Sequence, residues 1–171
     1  MIDVMYYFLL VGNMKVLVAT TVLRHEDPEL VVMSVRKIFP DWTPEDVPSR
    51  RSYPDNSPPA RLISEVEGIE YIIQDAKAHK ILDTALDAMS LNMNEESTMF
   101  QISRQAAVAG KIAFPIPGDR PVGGVFEISI IGNGLADWLQ AATWHPGRSQ
   151  VPRHINDERS MNDDGESATW V

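Results

Sequence analysis

Short segments with β-strand patterns alternate with amphipathic helical segments along most of this chain, and this alternation constrains its fold most strongly. Lys15–Leu23 is rich in β-branched residues without a breaker, which predicts a buried strand. Arg61–Glu67, Thr98–Ser103 and Val125–Ile131 also have strand patterns, and Lys111–Phe114 predicts a further short strand. Such an alternation predicts a single α+β domain in which helices pack on a mixed or antiparallel sheet.

The helical segments carry recognisable start and stop signals. Asp27 is a favourable N-cap, Pro28 is a favourable first helical residue, and Pro40 ends the helix that they begin. A turn between two helices is expected near residues 78–80. Helices are therefore predicted over residues 28–39, 69–91 with that interruption, and 135–142, and a short helical or turn element over residues 104–109.

A chain of 171 residues suits one domain with its own core, which we place at residues 14–144. The apolar run at residues 4–11 is too short to cross a bilayer, and no basic segment precedes it as in a secretory signal. We interpret residues 1–13 as an extension before a start at Met14, with no membrane association. Residues 145–171 are polar and acidic, which predicts a disordered tail.

The charge balance limits what the chain can bind. Fifteen basic residues face twenty-four acidic ones, which gives a formal net charge of −9. Because proteins that bind phosphate backbones concentrate positive charge, any nucleic-acid contact must use a local group of cations. The chain has no cysteine, which excludes disulfides, thiolate metal sites and thiol nucleophiles. The lack of cysteine also suits a reducing cytoplasm, where we expect the protein to act.

The sequence predicts no catalytic, cofactor or metal site. It contains neither a phosphate-binding Gly-x4-Gly-Lys-Ser/Thr loop nor a Gly-x-Ser-x-Gly nucleophile motif. His25 and Glu26 beside Asp27 offer cation ligands, but adjacent residues rarely converge on one ion and the helix start accounts for Asp27. His79 and Asp83 have the spacing of a helix-surface pair, and no nucleophile accompanies them for acid–base chemistry. We therefore expect a non-enzymatic protein.

Four basic residues are the candidates for a contact with RNA phosphate. Lys77 and Lys80 flank the expected helix break, and Arg104 and Lys111 bracket the segment between two predicted strands. If these cations share a face, they form a local positive surface; the alternative is that they are scattered and solvated. No aromatic stacking motif of the RRM type accompanies them.

Five short motifs in order carry a resemblance to a known family. They are Val18-Ala19, Glu26-Asp27-Pro28-Glu29, Ile38-Phe39-Pro40-Asp41, Lys80-Ile81-Leu82-Asp83-Thr84-Ala85, and Gln105-Ala106-Ala107 with Gly110-Lys111. Over about Met14–Trp144 the chain resembles the archaeal uncharacterised protein family 201, which is often labelled RNA-binding-like. The resemblance implies an α+β fold similar to the ribosomal protein that binds 5S ribosomal RNA, a homodimer, and no catalytic residues. Leu86 stands where members carry an arginine, and the Pro-rich loop 41–60 is longer than usual.

Two functions follow as expectations. The first is an RNA-associated binding module that uses the four cations. The second is a dimeric protein-interaction or regulatory module without nucleic-acid binding, which the acidic balance favours. In either case we expect Trp138 or Trp144, near the end of the domain, to lie at the subunit contact.

Overall fold

Four antiparallel strands and five α-helices make up the part of the chain that this computed structural model describes, residues 14–50, 52 and 56–155. The strands are β1 (Lys15–Val22), β2 (Ala60–Val66), β3 (Ser97–Ser103) and β4 (Val125–Ile131). The helices are α1 (Pro28–Arg36), α2 (Glu70–Ala78), α3 (Leu82–Ser90), α4 (Arg104–Val108) and α5 (Leu135–Ala142). The expectations for residues 1–13 and 156–171 fall outside the described residues.

The four strands form one sheet with the spatial order β2-β1-β4-β3. Every pairing is antiparallel: Val18 lies opposite Ser64 of β2 and Ile128 of β4, and Ile128 also lies opposite Phe100 of β3. The α+β prediction is confirmed, and the sheet is antiparallel rather than mixed. The first and last of the described strands therefore lie side by side in the centre, and β2 and β3 form the two edges.

Helices cover one face of the sheet. Residues alternate between the two faces of a strand, so Val18, Phe126 and Ile128 all point to the covered face and are fully buried. On the opposite face, Ile63 and Met99 are 51% and 43% exposed. The core thus lies on one side of the sheet, and the other side has an open surface among the described residues.

Local signals fix the ends of two helices. Asp27 caps α1 as predicted, since its carboxylate accepts a hydrogen bond of 3.0 Å from the N–H of Glu29. The predicted break between α2 and α3 is also present. Lys80 adopts a left-handed backbone conformation with φ of 59°, and the Ile81 N–H donates to the carbonyl of Ala76 at 2.8 Å.

The Pro-rich loop after α1 is anchored by a buried aromatic residue. Trp42 is fully buried, and its indole N–H donates to the carbonyl of Val18 at 2.9 Å. The backbone carbonyl of Trp42 accepts a hydrogen bond of 3.1 Å from Arg36 Nε. Trp42 therefore belongs to the core and cannot stack on a nucleic-acid base.

The segment Lys111–Phe114 is not a strand, and this part of the sequence prediction is wrong. Its backbone makes one bond to β3, from the Ser103 N–H to the Ala113 carbonyl at 2.8 Å. The neighbouring N–H of Ile112 donates instead to the carboxylate of Asp75 on α2 at 3.0 Å. The Asp75 side chain thus accepts the hydrogen bond of an N–H group that would otherwise pair with a neighbouring strand.

Residues 145–155 pack against the domain, which differs from the predicted tail beginning at residue 145. Pro146–Ser149 form a 3₁₀ turn, and Arg148 within it is only 9% exposed. The Arg148 Nε donates to Asp83 on α3 at 2.9 Å. The segment packs through charged groups and through Ile155 at its end, so its mostly polar composition resembles that of a disordered tail.

Candidate nucleic-acid interface

Arg104 does not lie on the surface, and its assignment as an RNA contact is corrected here. It is 4% exposed and starts α4 directly after β3. Its Nη1 donates to the Thr21 carbonyl at 2.9 Å and to the Thr20 hydroxyl at 3.2 Å. Its Nε donates to the Gly123 carbonyl, and its Nη2 pairs with Glu26. Because each of its three nitrogens donates inside the protein and the residue is buried, Arg104 is not available to a phosphate at the surface.

The ion pair between Arg104 and Glu26 joins the ends of β1, β3 and the loop before β4. Burial lowers the pKa of Arg104, and the charge and hydrogen bond of Glu26 oppose that effect. Glu26 also accepts the N–H of Leu23 at 2.8 Å, so both its oxygens are used. Glu26 therefore forms an internal ion pair and does not act with His25 as a ligand for a cation.

The other three predicted cations lie at one corner of the molecule. Lys111 precedes Ile112, whose N–H binds Asp75 on the last turns of α2. Lys77 belongs to the final turn of that helix, and Lys80 follows in the turn before α3. All three lysines are exposed. We call Lys77, Lys80 and Lys111 the lysine corner.

Two further side chains at the lysine corner were not singled out as part of a site. Tyr71 is 41% exposed, and its hydroxyl donates to the Gly110 carbonyl at 2.8 Å, which ties α2 to the residue before Lys111. The imidazole of His79 lies 3.3 Å from Asp75. The contact of Tyr71 does not follow from sequence spacing, because Tyr71 and Gly110 are 39 residues apart, whereas His79 and Asp75 have the i,i+4 spacing of a helix.

The lysine corner carries more positive than negative groups. Asp75 is its main acid, and that carboxylate is already engaged by the Ile112 N–H and by His79. Three of the five lysines in the chain therefore lie at the end of α2, in the turn after it and in the segment that Asp75 binds to α2. In a chain with a net charge of −9, this arrangement concentrates cations locally.

The predicted pair of His79 and Asp83 does not form. The interruption at Lys80 separates them onto different helices, and His79 pairs with Asp75 instead. Asp83 binds His145 Nε2 at 3.0 Å and Arg148 Nε at 2.9 Å. Partial burial raises the pKa of Asp83, but these hydrogen bonds and charges outweigh it and hold the pKa below its ordinary value.

A cleft of about 780 Å³ lies where β1 and β4 meet the loop at residues 118–124. Its wall contains the Arg104–Glu26 pair, and Arg120 and Asp119 add one charge of each sign. Within the described residues, no three His, Asp or Glu side chains come close enough to hold a metal ion. Glu127 also lines the cleft, so three carboxylates face two arginines there.

Aromatic residues offer few flat surfaces to a base. Phe100 is 3% exposed and packs against Phe114 at a ring distance of 6.3 Å, and Trp42 is buried. Trp138 is buried as well, whereas Trp144 is 56% exposed.

Among the described helices, none is both long enough and apolar enough to cross a membrane.

The antiparallel sheet, covered on one face by helices, defines a small α+β fold. This fold is shared with archaeal proteins of the UPF0201 and DUF54 groups. A UPF0201 protein from Methanococcus jannaschii superposes with a TM-score of 0.64 at 20% identity, over 78% of this chain and 96% of its own. A further UPF0201 protein gives a TM-score of 0.59 at 16% identity, over 74% of this chain and 90% of its own.

A DUF54 protein from Methanothermobacter thermautotrophicus gives a TM-score of 0.52 at 18% identity, over 75% of this chain and 91% of its own. The resemblance to the archaeal uncharacterised family 201 is therefore confirmed at the level of the fold. No protein-family model and no curated sequence matches the chain.

Proposed function

We propose that this protein is a non-enzymatic, RNA-associated binding module of the cytoplasm, and that the lysine corner is its phosphate contact. The observation that carries the proposal is that Lys77, Lys80 and Lys111 are all exposed where the end of α2 meets the segment that Asp75 binds. Exposed lysines bind phosphate as point charges and need no fixed geometry. Tyr71 adds an exposed aromatic surface at the same corner, which suits stacking on an unpaired base.

Binding of a structured RNA to the full chain tests this proposal. Replacing all three lysines by glutamine removes the charges while keeping polar side chains of similar length. We expect the affinity at low salt to fall by at least roughly tenfold, because each lost phosphate contact removes counterion release. Circular dichroism checks that the variant is folded.

A matched variant separates a local contact from bulk charge. Arg24, Lys37 and Arg120 are also exposed cations, and their replacement by glutamine changes the net charge by the same amount. We expect this control to bind RNA within about threefold of the wild type. Equal losses in the two triple variants would mean that RNA senses only the overall charge, which contradicts a contact at the lysine corner.

A second candidate function is dimerisation through the open face of the sheet. Ile63, Met99 and Ile131 expose 51%, 43% and 42% of their surface there, beside the ion pair of Arg61 and Glu127. An apolar face with equal numbers of cations and anions suits a self-complementary contact between two copies. We infer a homodimer in which this face, rather than buried Trp138, forms the contact.

Sedimentation at tens of micromolar tests the dimer. The Ile63→Arg change places a charge at the centre of the contact and is expected to convert the dimer to a monomer. Met33→Arg is the control, because Met33 is 60% exposed on α1, away from the sheet. A monomeric wild type, or equal dissociation of both variants, would contradict this candidate.

A further inference from the structure

In β3, the backbone N–H and C=O groups of every second residue point away from β4, toward the edge of the sheet. The Arg104 N–H donates to the Gly124 carbonyl at 3.1 Å, and the Gly132 N–H donates to the Glu96 carbonyl at 2.8 Å. Both bonds continue the ladder with β4 and use even-numbered residues on the β3 side. Because N–H and C=O groups of one residue point the same way in an antiparallel pair, the odd-numbered residues of β3 point outward.

The outward groups at both ends of β3 have partners within the protein. The Ser97 N–H donates to the Asn94 side chain at 2.8 Å, and the Ser97 carbonyl accepts the Asn94 N–H at 2.9 Å. At the other end, the Ser103 N–H donates to the Ala113 carbonyl at 2.8 Å. These contacts confirm the outward direction and close the strand edge at its two ends.

The middle of the edge is open. The Met99 carbonyl accepts a hydrogen bond of 3.3 Å from the Asn92 side chain. Within the part of the chain that the structure describes, the Met99 N–H and both backbone groups of Gln101 have no partner. Two donors and one acceptor therefore face outward at the spacing of a β-strand.

These three groups border a groove of about 480 Å³. One wall is a stripe of α3 with helical spacing, formed by Thr84, Asp87, Ala88 and Leu91. The other wall is the segment at residues 114–118, where Ile116 is 71% exposed. The groove thus combines unpaired strand backbone with an apolar side chain on each side, Leu91 and Ile116, beside the polar Thr84 and Asp87 of α3.

We propose that this groove binds an extended segment of another polypeptide chain, which adds to β3 as a fifth strand. Two N–H groups and one C=O group in strand spacing match an extended peptide backbone and match no sugar or phosphate pattern. The apolar walls select a segment with an apolar side chain at alternate positions. The closed ends of β3 limit the contact to about three residues, so the ligand is a short segment.

A capped heptapeptide of alternating valine and lysine is the probe, titrated into the full chain by NMR at physiological ionic strength. We expect saturable shifts at the amides of Met99 and Gln101. Gln101→Pro removes the outward N–H at an edge position where proline is tolerated, and is expected to weaken binding by roughly tenfold. Gln101→Ala keeps that N–H and serves as the control, with binding within about twofold of the wild type.

N-methylated probes test the same inference on the wild-type protein, in case the proline variant does not fold. One peptide carries methyl groups on the backbone nitrogens of its valines, and the other carries them on the backbone nitrogens of its lysines. A strand-addition contact blocks one of the two peptides and tolerates the other, since only one edge of the peptide faces β3. The proposal is overturned if both peptides bind equally, or if a folded Gln101→Pro variant binds the probe as tightly as the wild type does. It is also overturned if the shifts are confined to the open face around Ile63, or if no saturable binding is seen.

Discussion

The guanidinium of Arg104 binds acceptors from three separate parts of the chain, which makes it a structural residue of the domain. Its partners include Glu26, Thr21 and Gly123, which lie up to 83 residues away from it in sequence. Gly124 faces the same side chain: a Cβ there would lie 2.8 Å from Nη2, and its φ of 79° favours glycine. The conformation of the loop before β4 is thus matched to the position of Arg104.

Replacing Arg104 by methionine is expected to lower the free energy of unfolding by about 3 kcal/mol. The change leaves the carboxylate of Glu26 partly buried without its cation and leaves two carbonyls without donors. Urea denaturation measures the loss. Adding Glu26→Gln should restore part of it, while Arg61→Met, at a half-exposed ion pair, should cost less than about 1 kcal/mol. A loss as small in Arg104→Met as in Arg61→Met would contradict the structural role.

Residue roles were predictable from the sequence only where they are local. Asp27 as an N-cap and Lys80 at a helix break follow from neighbouring residues, and both are confirmed. The burial of Arg104 depends on Glu26, 78 residues earlier, and no spacing rule connects such positions. The burial of Trp42 likewise depends on its hydrogen bond to Val18, 24 residues earlier.

The segment at residues 145–155 acts as a strap across α3. Asp83 and Asp87 are one helical turn apart, and they bind Arg148 and Arg153 respectively. His145 adds a second contact to Asp83. The strap therefore extends the domain beyond Trp144 and depends on ion pairs at its two ends.

The pairing of Asp83 predicts a pH-dependent contribution to stability. Because its partners lower the pKa of Asp83, the contribution is complete above the ordinary aspartate pKa of about 4 and is lost as pH falls through the lowered value. Asp83→Asn should lower the free energy of unfolding at pH 7 by up to about 1 kcal/mol, since Asp83 is 41% exposed. Asp119→Asn is the control for net charge, and thermal unfolding between pH 2.5 and pH 7 measures both. If the difference in unfolding temperature between the two variants stayed constant over that pH range, the ion pairs of Asp83 would not contribute in the way that we expect.

Sequence patterns of strands and helices predicted most of the elements of the fold. The predictions failed where contacts of charged side chains determine the structure. The strands and the five helices follow from periodicity and caps. Lys111–Phe114 had a strand composition, yet Asp75 binds its central N–H and only one bond to β3 forms. The strap was missed for a related reason, because arginine and histidine form most of its contacts and Ile155 is its one aliphatic residue packed on the core.

At the scale of the whole molecule, three surfaces have different chemistry. The lysine corner concentrates cations, the open face of the sheet is apolar with paired charges, and the edge of β3 presents unpaired backbone groups. The fold class was predictable from the sequence, and structural likeness to archaeal UPF0201 proteins confirms it. The strand order β2-β1-β4-β3 was not, because it depends on pairings between distant segments.

The dependence of RNA affinity on salt tests the account most directly. For the wild type, the logarithm of the association constant should fall linearly with the logarithm of salt concentration. Replacing Lys77, Lys80 and Lys111 by glutamine should make that slope shallower by about one per lysine, whereas the Arg24, Lys37 and Arg120 control should leave it unchanged. A wild type that binds no RNA at low salt, or a slope that the lysine replacements do not alter, would contradict the lysine corner as a phosphate contact.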